Sequence, residues 1–304
     1  LEILKNAYGK YGVAAFNVFN AEQIHGVFGG SQLAEMPIIV QITPAARNYT
    51  TPEFLEGMIS SAAKVYPNTE FSVHLDHGNY EHCLSAIDNG FYGSVMIDAS
   101  HEEFEKNISI SSDIVKRAHD KGIAVEAELG VLSGVEDDIN ISAEKSKYTD
   151  PDQVVEFIER TQCDSLAVAV GTSHGAYKMS GGKGLQLSIL ENIQKLLPGF
   201  PIVLHGASNV PLDEIEKINK YGGNISSKAK GVDEKEMLQA IKFGVTKINI
   251  ATDLRLIWTR IHREFFSITP ELFDPVIPGK TYIEELTKFV NKKCQSLKIN
   301  NYEN

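Results

Sequence analysis

Residues 71–78, Phe71-Ser72-Val73-His74-Leu75-Asp76-His77-Gly78, carry a short apolar-rich run that stops at two adjacent metal-competent side chains. Apolar residues that continue instead of alternating indicate a strand covered on both faces, as in a parallel sheet. Seven other runs read the same way: Gly12–Asn17, Ile38–Ile42, Ser94–Asp98, Ile123–Glu128, Ser165–Val170, Ile202–His205 and Val245–Ile250. Amphipathic stretches separate them, among them Ala21–Ala34, Pro52–Tyr66, Glu102–Lys121, Asp152–Cys163, Leu187–Leu197 and Asp233–Phe243. Eight strand-helix pairs with short connections predict a (β/α)8 TIM barrel. A doubly wound open sheet is the alternative, disfavoured because its ligand groups would gather at one switch point. After Leu254 the chain reads as a helix to Phe266 and a further one over Tyr282–Leu297. Residues 1–304 are therefore expected to form a single barrel domain with 254–304 as a C-terminal helical extension.

The 304 residues suit that reading, since a barrel of this kind commonly uses about 250. Hydrophobic residues make up 42% of the chain and supply a large core. No apolar stretch approaches the length of a membrane span, about 18 residues, and Leu1–Lys10 lacks the apolar segment of a signal peptide. Three scattered cysteines without a Cys-x-x-Cys pair suit a reducing cytoplasm. A formal charge of −11 argues against nucleic acid as a partner. A small anionic substrate remains allowed, because backbone N–H groups and a few local cations can hold its phosphates.

Three histidines, His77, His174 and His205, each follow such a run and precede a glycine. A lone histidine after a strand is ordinarily a hydrogen-bonded structural residue. The reading changes because Asp76, Asp98 and Glu128 take the same position on their strands. Three imidazoles on one divalent cation, with a fourth position open, is the pattern of a catalytic zinc site. His25, His82, His119 and His262 fall in helical stretches, whereas His74 and His101 lie near enough to orient a ligand.

Two connections are long, 130–150 and 171–184, and read as lids at the catalytic face, with Glu136 as a carboxylate able to act as a base. Gly206-Ala207-Ser208 and Asn249-Ile250-Ala251-Thr252, the latter opening a helix at Asp253, suit a phosphate after the seventh and eighth strands. Either segment alone is equally an ordinary helix cap.

These motifs together resemble the class II, zinc-dependent fructose-bisphosphate and tagatose-bisphosphate aldolases. The resemblance runs from about Gly12 to the end of the chain. It is carried by Ala15-Phe16-Asn17, His74-Leu75-Asp76-His77-Gly78, Val95-Met96-Ile97-Asp98-Ala99-Ser100, Val125-Glu126-Ala127-Glu128-Leu129-Gly130, Gly171-Thr172-Ser173-His174-Gly175, His205-Gly206-Ala207-Ser208 and Asn249-Ile250-Ala251-Thr252-Asp253-Leu254. It implies that His77, His174 and His205 hold zinc, that Asp98 and Glu128 hold a second divalent metal or an alternative metal position, and that a monovalent cation takes part. Asp76 would handle the C4 hydroxyl proton, and Glu136 would remove the dihydroxyacetone phosphate proton. Asn17, Thr43, Gly175, Gly206–Ser208 and Asn249–Thr252 would bind substrate. A phosphorylated sugar substrate and a homodimer or homotetramer are implied as well.

Cleaving C3–C4 of a ketose bisphosphate leaves a carbanion that zinc would stabilise as an enediolate, so no Schiff-base lysine is needed. Lys247 lies inside the last strand and reads as structural. Asn249 could donate to the enediolate oxygen. Two other classes stay open. A metal-dependent hydrolase would normally start from His-x-His on the first strand, where Asn17 stands, and a non-catalytic zinc barrel would not need both Asp76 and Glu136. Many fructose-specific members carry aspartate at the place of Ala251 and tagatose-type members often carry alanine, but the rest of the chain looks at least as much like the fructose enzymes, so cleavage of fructose 1,6-bisphosphate is the expectation and tagatose 1,6-bisphosphate the alternative.

Overall fold

Eight parallel strands close into a barrel in the computed structural model, which describes residues 1–132, 134–136, 139–141, 147–173, 184–226 and 231–299. The chain opens with α1 (Glu2–Ala7), β1 (Val13–Asn17), α2 (Ala21–Ala34), β2 (Ile38–Ile42), α3 (Pro44–Thr50), α4 (Pro52–Val65) and β3 (Phe71–Gly78). It continues through α5 (Tyr80–Asn89), β4 (Ser94–Ile97), α6 (Phe104–His119), β5 (Ala124–Leu129), β6 (Gly134–Glu136) and β7 (Ile139–Ile141). Next come α7 (Pro151–Thr161), β8 (Ser165–Val168), α8 (Leu187–Leu196), β9 (Ile202–Leu204) and α9 (Leu212–Lys220). The last elements are α10 (Glu234–Lys242), β10 (Val245–Ile250), α11 (Thr252–Ile268) and α12 (Val276–Ser296). The predicted (β/α)8 barrel is thus the observed fold, with β1 closing against β10.

Two layers of packing follow from strand alternation. Outward side chains such as Phe16, Ile42, Leu75 and Ile250 join helix residues such as Leu55, Ile59 and Phe157 in one continuous core. Each such fully buried side chain contributes about 1.5–3 kcal/mol. Inward, Met96, Ala167 and Val203 form a small cluster of their own. Leu4 and Ala7 of α1 pack with Val13, Ala15 and Ile39 and plug the amino-terminal mouth, leaving the carboxyl ends of the strands for chemistry.

The hairpin β6–β7 falls within the long connection 130–150. Its three-residue strands are too short to show a period. The C-terminal region is divided: α11 follows β10 directly as the helix of the eighth unit, and α12 lies across α2. Glycines allow that close approach. A Cβ on Gly26 would sit 2.7 Å from Leu286 and one on Gly30 2.5 Å from Val290. Helix α12 begins at Val276, well before the predicted Tyr282, because Pro278 falls in the first turn, where a missing N–H costs nothing. No described helix is long and apolar enough to cross a membrane.

Candidate active site

An irregularity in β3 brings two consecutive side chains to one point. Regular strands send neighbours to opposite faces, but the β3–β4 register shifts between Leu75 and Gly78, and His77 takes a left-handed φ of 50°. Such backbone is strained for a residue other than glycine and concentrates at functional sites. As a result Asp76, His77 and His205 bring ligand atoms within 4.8 Å of one another, and so do His77, Asp98 and Glu128. The His77 and His205 rings meet edge to face at 4.6 Å.

Asp76 is buried and gripped by amides. Asn17 Nδ2 donates to Oδ2 at 2.8 Å, Gln41 Nε2 to the same oxygen at 3.3 Å, and Asn249 Nδ2 to Oδ1 at 3.2 Å. Gln41 Nε2 also donates to Asn17 Oδ1 at 2.9 Å, which locks the pair. Burial alone would raise the Asp76 pKa. The charges of His77, Lys247 and His205 and the Asn17 hydrogen bond outweigh it and hold the carboxyl below its ordinary value.

The opposite balance holds around it. Burial disfavours charge on His77, but Asp76, the hydrogen bond and charge of Asp98, and Glu128 prevail and push its pKa to about 10 in the metal-free protein. His77 Nδ1 meets Asp98 Oδ2 at 3.0 Å, and Asp98 Oδ1 accepts from the Ser100 hydroxyl at 2.8 Å. Glu128 is raised well above the carboxylate range by burial and by the charge of Asp98.

Beneath these groups lies a layer of which the sequence pointed only to His74 as a residue near enough to orient a ligand. Glu126 Oε1 contacts His205 Nε2 at 2.8 Å, and Glu126 Oε2 accepts from Lys247 Nζ at 2.8 Å. His74 Nε2 lies 3.5 Å from the same carboxylate, with Nδ1 at 2.8 Å from the Ser94 hydroxyl. Burial, with Lys247 adding to it, lowers the His74 pKa well below the histidine range, so this ring is neutral. Lys247 is therefore no isolated strand residue. Glu126 and Gln41 were missed, although a charged or amide side chain inside a continuous buried run needs a partner and is a readable signal. His101 is displaced from the centre: its side chain is 67% exposed and lies 3.9 Å from Glu102.

The predicted anion segments also meet. Ser208 Oγ accepts from Ala251 N at 3.3 Å, joining the turn after β9 to the start of α11. Ala207 and Ile250 bury their side chains in the core, so only their backbones can face a ligand. Thr43 caps α3, its hydroxyl accepting from Ala46 N at 3.2 Å. Gly206 has φ 60° and lies against the 172–173 segment, where an added Cβ would come within 2.4 Å of Ser173 O. Glu136 belongs to β6, opposite Ile139. His174 and Gly175 lie outside the described residues.

The donor set fits a divalent cation. Two imidazoles and three carboxylates converge, and Glu128 Oε2 is buried without a hydrogen-bond partner among the described residues. Gln41 Oε1, Thr172 Oγ1, Ser173 Oγ and Asn249 Oδ1 share that condition. Buried polar atoms of this kind concentrate at one end of the barrel, as expected where a polar ligand completes the structure.

The family model described as class-II fructose-bisphosphate aldolase matches residues 1–302. A fructose-bisphosphate aldolase of Giardia intestinalis is 41% identical over 283 residues, covering 91% of this chain and 86% of that protein. A class 2 fructose-bisphosphate aldolase of Synechocystis is 39% identical over 305 residues, covering 93% and 83%. In fold, the crystal structure of a putative fructose-1,6-bisphosphate aldolase from Coccidioides immitis superimposes with a TM-score of 0.81 at 22% identity, covering 97% of this chain and 94% of that one.

Proposed function

The chain belongs to the class II fructose-bisphosphate aldolase family, and from that premise we propose that it reversibly cleaves fructose 1,6-bisphosphate to dihydroxyacetone phosphate and glyceraldehyde 3-phosphate. Such an enzyme is a lyase of sugar metabolism and takes a phosphorylated sugar. The curated relatives carry the fructose name, which favours that epimer over tagatose in spite of Ala251. The observation that carries the reading is the meeting of Asp76, His77 and His205 at the carboxyl end of the barrel.

Class II members depend on zinc, and His77, His205 and His174 are the residues we assign to it, with Asp98 and Glu128 as a second divalent position. When bound, the cation supplies a Lewis acid that polarises the C2 carbonyl. The chain's own groups do the rest. Asp76, held ionised by Asn17, Gln41 and Asn249, takes the C4 hydroxyl proton as the C3–C4 bond breaks and returns it in condensation. Glu136 exchanges the proton at C3. Asn249, already bonded to Asp76, is placed to shift toward the C2 oxygen, and its own Oδ1 has no partner among the described residues. Ser208 and the start of α11 hold the phosphate on the dihydroxyacetone side. The assembly we assign is a homodimer or homotetramer.

The test is a coupled assay of triose phosphate release by the zinc-loaded protein from fructose 1,6-bisphosphate and tagatose 1,6-bisphosphate, before and after chelation. Cleavage of the fructose epimer that disappears with the metal is expected. Turnover that survives complete removal of divalent metal would discard the zinc assignment.

A further inference from the structure

Lys293 is a buried ammonium that the chemistry above does not use. It sits in α12, far along the chain from every catalytic motif, with 4% of its surface exposed. Burying an ammonium is costly unless it is well paired. Its hydrogen bond runs to Asn209 Oδ1 at 2.8 Å, across 84 residues of sequence. Asp253 and Glu234 face it electrostatically.

Asn209 follows Ser208 directly. Its backbone N–H donates to Asp253 Oδ2 at 2.9 Å, and that of Val210 donates to Oδ1 at 2.8 Å. One carboxylate at the start of α11 thus grips two successive amides of the turn after β9. Val210 has a left-handed φ of 49°, a costly conformation for a β-branched residue, and its side chain is wedged among Ile215, Ile218 and Leu256. At the other end of the turn Gly206, with φ 60°, is pressed on Ser173. Strain of this kind persists only where the surroundings over-determine it. The turn 206–210 is clamped from three sides, and Ser208 Oγ is what the clamp presents to Ala251 N.

We propose that Lys293 is a positioning residue for substrate, reaching from α12 through Asn209 to set the turn that holds Ser208 against the start of α11. The inference rests on assigning that cradle to the dihydroxyacetone phosphate end. It makes α12 part of the substrate site instead of an accessory to the barrel.

Calorimetric binding of dihydroxyacetone phosphate to the metal-loaded protein, and KM and kcat for fructose 1,6-bisphosphate, test it in the parent, Lys293→Met, Ser208→Ala and the double variant. Lys293→Met is expected to weaken dihydroxyacetone phosphate about ten-fold and to raise KM with it, while kcat falls less than about three-fold, the scale of one lost charge-assisted hydrogen bond. In the Ser208→Ala background the same substitution should cost less, because both act on one cradle. Unchanged affinity in a folded Lys293→Met, a loss confined to kcat, or full additivity in the double variant overturns the proposal. If Lys293→Met does not fold, Asn209→Ala is judged by the same criteria. A parent that binds dihydroxyacetone phosphate yet leaves the bisphosphate intact refutes the assigned reaction, and the affinity comparison still decides the role of Lys293. A parent that binds no dihydroxyacetone phosphate overturns both.

Discussion

At Asp76 two demands meet on one carboxylate: it lies beside His77 and His205, and both its oxygens accept from amides. Because those amides and not the cation define its orientation, Asp76→Ala is expected to retain zinc while cleavage falls by about two to four orders of magnitude, the range for a positioned acid or base. Zinc content measured on the same preparation decides it, since loss of metal and activity together would make Asp76 a ligand and not a proton carrier. Asp76, His77, Asp98, Glu128 and His205 were legible in the sequence because each ends an apolar run, where a polar residue has no packing reason to be. Glu126, Lys247 and Gln41 were harder to see, since they lie within strands whose other residues are apolar. Gln41 of β2 finds its partners on the neighbouring strands β1 and β3, but those of Glu126 and Lys247 come from non-adjacent strands: Glu126 of β5 meets Lys247 of β10 across the barrel, a contact 121 positions apart. A one-dimensional pattern carries no such pairing.

Elements that bury one long face announce themselves, and short ones do not. The eight barrel strands were readable as continuous apolar runs, even three-residue β9, and helices such as α2, α4 and α6 because each spans enough residues to show a period. Six-residue α1 and seven-residue α3 span barely two turns, so their existence depends on tertiary packing: Leu4 and Ala7 against the barrel mouth, and the Thr43 cap with Pro44 behind it. Connections matter as much as elements, and the turn after β9 shows why. Gly206→Ala would place a Cβ 2.4 Å from Ser173 O at a left-handed φ, forcing either the 172–173 segment or the turn to move. That segment leads into His174 on one side, while the turn carries His205 on the other. We expect a lowered Tm, with strain of about 1–2 kcal/mol from the backbone alone, and a weaker hold on zinc. A variant with parental Tm and zinc affinity would show that this close approach is not needed to align the two histidines.

For the molecule as a whole, the surface beyond the barrel has an unbalanced distribution of apolar groups. Leu272 and Phe273 on the connection from α11 to α12 and Val276 and Ile277 at the start of α12 are exposed, with Phe273 89% exposed, and Trp258, Phe266 and Ile268 stand out on α11 itself. Scattered exposed hydrophobic residues need no explanation, but several of them on one segment make it the candidate surface for a partner protein. A second copy of this chain is the simplest such partner, and closed symmetry makes one patch serve both subunits. The net charge of −11 does not forbid it, because these apolar side chains are themselves uncharged. Light scattering of the parent is therefore expected to give two or four times 33.5 kDa at micromolar concentration. Phe273→Asp, which places a charge at the most exposed point, should shift the mass toward the monomer while circular dichroism stays the same. The barrel core is remote from this change, so catalysis should respond only as far as the assembly itself supports the site. A parent that remains monomeric at every concentration would refute the assembly, and an oligomer indifferent to Phe273→Asp would place its interface elsewhere.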